Sequence, residues 1–175
     1  MSLDEINNAD QNKVREEFSK CCGSFIWQEK MVEKLPFKND EAIFSCAEKI
    51  WFQECTEKDW LEAFTHHPKI GDLKSLEKKF ANTKSWASNE QAGVNIANQK
   101  ILQELSSLNE RYENKFGYIF IVCATGKSAD EMLQILKSRI NNTAEREIKI
   151  AMEEQNKIRK IDERLTTFEL STFKP

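Results

Sequence analysis

Two long stretches of the chain, at 94–116 and 143–166, carry apolar residues at the three- and four-residue spacing of one helix face. Glycine and proline, which most often interrupt helices, number only 5 and 3 among 175 residues. A chain of this length is large enough to bury one core. The pattern predicts an all-α fold, a single-domain helical bundle over residues 1–175. Its long central helix should start near Ser88–Glu90, and its last helix should cover 143–166.

Five shorter helices are predicted around these two, each from apolar spacing and a starting or stopping signal. They are a helix over 10–22 that Gly23 can end, one capped by Asp40, one behind the capping box Thr56–Asp59, one over 73–84, and one behind the capping box Ser128–Glu131.

Two segments, at 66–72 and 117–124, interrupt the helical pattern. In the first, Pro68 biases His67 toward extended geometry and Gly71 permits a turn. The second is a short apolar run that would be taken for a strand if read alone. Because the sequence offers it no partner strand, we expect a short buried extended segment between helices.

Composition excludes several classes of function. The net charge is only −3 at pH 7, and lysine and arginine are interspersed with acidic residues, so we expect no binding of nucleic acid or of a membrane surface. No apolar run approaches the roughly 20 residues of a membrane span. The five cysteines form no C-x-x-C pair, which is typical of reduced thiols. Since the N-terminus also lacks the pattern of a signal peptide, we expect a cytoplasmic protein.

His66 and His67 are the two histidines of the chain and the first candidates for acid–base chemistry, since histidine titrates near neutral pH. Neighbours in an extended segment point to opposite sides, so we expect only one ring in a site. The alternative is a solvent-exposed pair without a catalytic role. No Cys/His ligand pattern accompanies them, and we therefore predict no metal site.

Glu90, Gln91 and Arg164 are candidates with strong structural alternatives. A carboxylate at the start of a helix and a cation near its end are favourable for the helix dipole alone. Lys127 follows Gly126, but the segment lacks the first glycine of a phosphate-binding loop and fits a lead-in to a helix cap.

Four blocks of sequence, read together, are much more specific than any single residue. They are His67-Pro68-x-Ile70-Gly71-Asp72, Trp86-x-x-x-Glu90-Gln91-Ala92-Gly93, Phe116-Gly117-Tyr118-x-Phe120-Ile121-Val122-Cys123-Ala124, and Arg139-x-x-Asn142-x-x-x-x-Glu147 with the tail from Lys157-Ile158 to Arg164-Leu165. In this order and spacing they resemble the OHCU decarboxylase family, named after 2-oxo-4-hydroxy-4-carboxy-5-ureidoimidazoline (OHCU). The resemblance spans about residues 15–166.

The resemblance implies an all-helical homodimer that converts OHCU to (S)-allantoin and carbon dioxide in uric acid degradation, without a metal or an organic cofactor. By position, the family's catalytic histidine, glutamate and arginine correspond to His67, Glu90 and Arg164. The remaining positions of the substrate pocket correspond to Pro68, Gln91, Phe120, Ile121 and Val122.

One position departs from the family pattern. Many members carry a serine three residues before the glutamate, where this chain has Ala87. Either Ser88 takes over that substrate contact through a small shift in the helix start, or this chain makes one hydrogen bond fewer to the substrate. Two other functions remain open: a non-catalytic helical binding domain that keeps the fold, and a helical hydrolase acting on another purine-derived ureide. The retention of His67, Glu90 and Arg164 favours the decarboxylase.

Overall fold

The computed structural model describes residues 1–67, 73–80 and 91–171, with the helical backbone alone at 73, 75, 79–80, 91–97 and 161–171. Within these ranges the regular structure is helical and no residue belongs to a β-strand, which confirms the all-α prediction. The helices are α1 Leu3–Asn8, α2 Gln11–Cys21, α3 Phe25–Val32, α4 Asp40–Lys49, α5 Glu57–Thr65, α6 Leu73–Phe80, α7 Gln91–Phe116, α8 Ala129–Arg139 and α9 Ala144–Ser171.

The chain divides into two compact units. The first unit comprises Met1–His67 and Met152–Pro175, and the second comprises Pro68–Ala151. Helix α9 supplies residues to both units. None of the described helices is both long enough and apolar enough to cross a membrane.

The core of the first unit is organised by tryptophan side chains whose indole N–H groups all donate to main-chain carbonyls. Trp27 donates to Ala47 at 3.0 Å, Trp51 to Met152 at 3.0 Å, and Trp60 to Trp51 at 3.1 Å. Trp27 and Trp51 are completely buried. Because a buried indole N–H needs an acceptor, these bonds let large rings fill the core without leaving a donor unsatisfied.

Helix α3 is not predicted by the sequence spacing. Ser24 caps it by accepting a hydrogen bond from the N–H of Trp27 at 3.2 Å. Trp27 is buried, whereas Phe25 and Ile26 expose 53% and 38% of their surface. Since apolar residues occupy both buried and exposed positions, the segment lacks the one-sided stripe by which a helix is identified in sequence.

Helix α4 corrects the predicted cap. Asn39, not Asp40, caps it, and the Asn39 Oδ1 atom accepts from the N–H of Ala42 at 2.9 Å. Asp40 is instead the first helical residue, where its charge suits the helix dipole. The helix continues into one π-helical turn, Ile50–Glu54, which the N–H of Cys55 closes by bonding to the carbonyl of Ile50 at 2.9 Å.

The other predicted boundaries largely agree with the structure. Both capping boxes are formed, Thr56 with Asp59 and Ser128 with Glu131. Helix α2 lies within the predicted 10–22 range, and α9 runs beyond the predicted end at 166. The start predicted for the long helix, Ser88–Glu90, lies outside the described residues.

The second unit packs α6, α7 and α8 around a leucine-rich core. Its most deeply buried leucines are Leu76, Leu102, Leu105, Leu133 and Leu136. Helix α7 ends at Phe116, and the next residue, Gly117, has a φ of +79° in the left-handed region that suits glycine. The connector that follows is neither helix nor strand. Within it Ile121 is buried, and Phe120 and Val122 are partly buried, so the segment lies between helices as predicted but is less buried than expected.

Candidate active site

The two histidines lie directly after α5, and the start of that helix is set by local sequence. Thr56 and Asp59 form its capping box, with the Asp59 carboxylate accepting from the N–H of Thr56 at 2.7 Å. At the other end, the N–H of His66 bonds to the carbonyl of Ala63 at 3.2 Å. The N–H of His67 bonds to the carbonyl of Phe64 at 3.3 Å, so the backbone of both histidines is tied to the helix.

The two imidazole rings have different neighbours. The His66 side chain lies over Gly23, where an added Cβ would come within 2.6 Å of the His66 Cβ. His67 instead contacts helix α9, where its Nε2 atom pairs with Oε1 of Gln155. His66 is exposed and His67 is partly buried. His66 has helical backbone angles, so its separation from His67 does not come from the extended geometry assumed from sequence. The expectation that only one ring enters a substrate site stays a prediction.

Gln155 lies on a buried face of α9 in the first unit. It is 2% exposed, and Met152 and Arg159 on the same face are 8% and 1% exposed. The Trp51 indole holds this part of α9 by donating to the carbonyl of Met152. The acceptor of the His67 ring therefore sits on a helix that the core fixes in place.

Arg159 is a buried cation four residues after Gln155. Its guanidinium lies 5.6 Å from the centroid of the Trp27 ring, and its Nη2 atom donates to Asn156 at 2.6 Å. Beside it, Lys160 contacts the carboxylate of Glu48 at 2.8 Å, and this hydrogen bond lowers the pKa of Glu48 below its usual value. Helical spacing in the sequence gives no sign of the contact between His67 and Gln155, because the two positions are 88 residues apart.

In the second unit, a buried arginine holds the segment Phe120–Val122. The Nη1 atom of Arg139 donates to the carbonyl of Ile121 at 2.8 Å. The same guanidinium lies 4.7 Å from the centroid of the Phe120 ring. Arg139 is 5% exposed and Ile121 is 2% exposed. The connector thus has a fixed main-chain conformation although it belongs to no helix or strand.

The charge of Arg139 is balanced by Glu147, which is completely buried. The Arg139 Nε atom donates to the Glu147 carboxylate at 2.7 Å. Asn142 donates to its second oxygen at 2.7 Å, and the Tyr112 hydroxyl donates to its first at 2.5 Å. Burial raises the pKa of Tyr112 far above its usual value, so its hydroxyl stays a proton donor. Sequence reasoning matched Arg139, Asn142 and Glu147 to a family block without assigning them this network.

The cysteines have the properties of structural thiols. None of the five forms a disulfide, and burial raises the pKa of Cys22 and of Cys55 to about 12. Thiols with such a pKa supply almost no thiolate at neutral pH. Within the described ranges, no three His, Cys, Asp or Glu side chains lie close enough together to hold a metal ion.

The structure places the site residues expected from sequence in different parts of the chain. His67 belongs to the first unit, and Phe120, Ile121 and Val122 belong to the second. Gln91 belongs to α7 and Arg164 to α9, and for both residues the structure describes the helical backbone alone. Pro68, Ser88 and Glu90 also lie outside the described residues. The roles expected for these residues therefore stay predictions.

Comparison with known proteins gives a consistent result. The family model described as "OHCU decarboxylase" matches residues 7–165. The chain is 38% identical over 143 residues to "Uric acid degradation bifunctional protein TTL" of Arabidopsis thaliana, covering 82% of this chain and 44% of that protein. It is 26% identical over 127 residues to a 2-oxo-4-hydroxy-4-carboxy-5-ureidoimidazoline decarboxylase of Xenopus laevis, covering 73% of this chain and 61% of that one. The chain thus spans less than two thirds of the length of both relatives.

The fold is also similar to that of a solved structure. An OHCU decarboxylase crystallised in the presence of (S)-allantoin superposes with a TM-score of 0.70 and 34% sequence identity. The match covers 87% of this chain and 97% of that chain.

Proposed function

Because this chain belongs to the OHCU decarboxylase family, we propose that it converts OHCU to (S)-allantoin and carbon dioxide in the degradation of uric acid. The observation that carries the proposal is the His67 ring, which directly follows a capped helix and is held by a buried residue, within a chain that matches the family over residues 7–165. A fixed imidazole is suited to moving a proton to or from a bound substrate.

His67, Glu90 and Arg164 are proposed as the catalytic residues. His67 bonds the hydroxyl or carboxylate of the substrate and acts as acid or base. Glu90 accepts hydrogen bonds from N–H groups of the ring or the ureido group. Arg164 holds a carboxylate or carbonyl through its planar, permanently charged fork.

Six further residues are proposed to bind the substrate. They are Pro68, Ser88, Gln91, Phe120, Ile121 and Val122. The hydrogen bond from Arg139 to the Ile121 carbonyl supports a binding role for this segment, since it fixes the main-chain groups on either side. Ser88 is proposed to make the substrate contact of the serine that many family members carry at the position of Ala87.

The reaction needs one bond to break and one proton to be delivered. The bond between the ring carbon and the carboxylate breaks, and carbon dioxide leaves. The electron pair stays on the ring carbon and is delocalised into the imidazoline as an enolate-like species, which a proton then quenches on one face. Because the substrate ring itself accepts the electron pair, we propose that no metal or organic cofactor takes part.

We further infer that the protein is a cytoplasmic homodimer. The dimer follows from the family resemblance, and sedimentation at micromolar concentration tests it, with a monomer as the contradicting result. The odd number of cysteines, 5, and the lack of a C-x-x-C pair in the sequence support a reducing compartment. Localisation of the tagged full-length protein tests the second inference, and accumulation outside the cytoplasm would contradict it.

The proposed activity is tested by generating OHCU from urate in situ and following the circular dichroism of the allantoin formed. We expect rapid appearance of the S enantiomer, with activity unchanged after treatment with EDTA and dialysis. Binding of OHCU without turnover would instead support the non-catalytic binding domain. Activity lost on chelation and restored by one divalent metal would contradict the cofactor-free mechanism.

A further inference from the structure

Gln155 is a polar residue at a position where an apolar side chain would be expected. It is 2% exposed, and Ala151 and Met152, one turn earlier, are 0% and 8% exposed. Burying an amide costs free energy unless it is hydrogen-bonded. The His67 ring supplies that hydrogen bond, which offsets the free-energy cost of burying the Gln155 amide.

This contact favours one position for the hydrogen of the ring. It joins Nε2 of His67 to Oε1 of Gln155. A carboxamide oxygen can only accept, so Nε2 must be the donor. A neutral imidazole has a single N–H, and Nδ1 therefore keeps its lone pair.

We propose that Gln155 is a positioning residue that holds His67 as the Nε2-protonated tautomer and leaves Nδ1 to face the substrate. The role rests on the proposed function, in which His67 is the acid–base group. A buried carboxylate orients the histidine of serine protease triads in a comparable way, and the wrong tautomer there is strongly impaired. Here the orienting group is a neutral amide, which fixes the ring without adding a charge beside it.

The geometry around His67 supports this role. Its main-chain N–H is bonded to the carbonyl of Phe64 at 3.3 Å, and its ring is bonded to α9. Hydrogen bonds thus hold both the main chain and the ring of His67. His66 cannot take its place, because the His66 side chain lies over Gly23.

The tautomer can be observed directly by nitrogen-15 NMR of the ring atoms. The chain has 2 histidines, so a His66→Gln variant assigns both rings. At about pH 8.5, where an imidazole is mostly neutral, we expect Nε2 of His67 to be protonated and Nδ1 to be bare. A ring protonated at Nδ1 in the wild-type protein would overturn the proposal, and this measurement needs neither a substrate nor a Gln155 variant.

Two variants of Gln155 test the consequence for catalysis. Gln155→Met keeps the length of the side chain but removes the acceptor, and we expect a mixture of tautomers and a kcat lower by about ten- to a hundredfold, the cost of a misplaced reacting group, with little change in KM. Gln155→Glu keeps an oxygen acceptor and should restore the Nε2 tautomer and part of kcat. The matched control is Gln134→Met, the same exchange at an exposed position of α8, which should change neither.

The outcomes separate this proposal from the proposed function. An unchanged tautomer and kcat in Gln155→Met would reject the positioning role while leaving the decarboxylase intact. A wild-type protein that does not consume OHCU, but whose His67 is protonated at Nε2, would reject the function and leave the contact standing.

Discussion

At the scale of single residues, the two adjacent histidines show how neighbours in sequence come to lie in different surroundings. His66 and His67 follow the same helix and are chemically identical. One lies exposed over Gly23, and the other is partly buried and bonded to Gln155. The hydrogen bond to a buried residue holds the ring of His67, which suits it to the proposed acid–base role.

We predict that His67→Asn lowers turnover of OHCU by about two to four orders of magnitude, as is typical for a positioned acid–base group. His66→Asn, the matched exchange, should cost far less. Initial rates of allantoin formation measure both, and circular dichroism checks folding. Equal losses in two folded variants would contradict the assignment of His67.

Arg164 allows a second prediction at this scale. Lysine keeps the charge but not the planar two-pronged geometry, so Arg164→Lys should lower kcat/KM at least about tenfold, or about 1.4 kcal/mol of transition-state stabilisation. Arg164→Ala should lower it further. Because lysine and alanine both favour helices, Tm should change little. If Arg164→Ala stays fully active, the anchoring role must pass to another cation, and Arg159 in the same helix is the next to test.

At the scale of structural elements, the connector between α7 and α8 depends on side chains rather than on backbone pairing. Arg139 binds the carbonyl of Ile121, and Glu147 binds Arg139. These residues come from α8 and from the first turn of α9. The element that supplies the proposed substrate contacts is therefore held by two helices next to it in the chain.

We predict that Glu147→Gln destabilises the protein by about 3–5 kcal/mol, because it leaves the buried charge of Arg139 without its partner. Urea unfolding measures the free energy. Glu153→Gln is the control, since Glu153 is exposed on the same helix, and surface exchanges stay within about 0.5 kcal/mol. A loss in Glu147→Gln no larger than in this control would mean that the ion pair does not hold the connector.

At the scale of the whole molecule, the prediction of a single domain implies that the chain unfolds cooperatively. The chain forms two compact units, and α9 contributes residues to both. A single domain unfolds as one all-or-none transition, whatever region a probe reports.

Tryptophan fluorescence and far-ultraviolet circular dichroism can test this. Trp27, Trp51 and Trp60 belong to the first unit, so a Trp86→Phe variant confines the fluorescence signal to it. Circular dichroism reports the helices of both units. We expect coincident thermal transitions. Two separated transitions would show that the units are independently folding domains.

The sequence by itself determined the features that depend on residues a few positions apart. Helical spacing and the capping boxes at Thr56 and Ser128 predicted elements that the structure contains. Local sequence does not decide whether Asn39 or Asp40 caps α4, because both residue types are good helix caps.

Only the tertiary structure decided which polar residues became partners. His67 and Gln155 are separated by 88 positions, and Tyr112 and Glu147 by 35. Helix α3 likewise shows no apolar stripe of its own, and the burial of Trp27 identifies its inner face. The packing of the core determines which donors and acceptors come close enough to form a hydrogen bond, and burial makes that bond necessary. A helix and its cap depend only on residues within a few turns of the backbone.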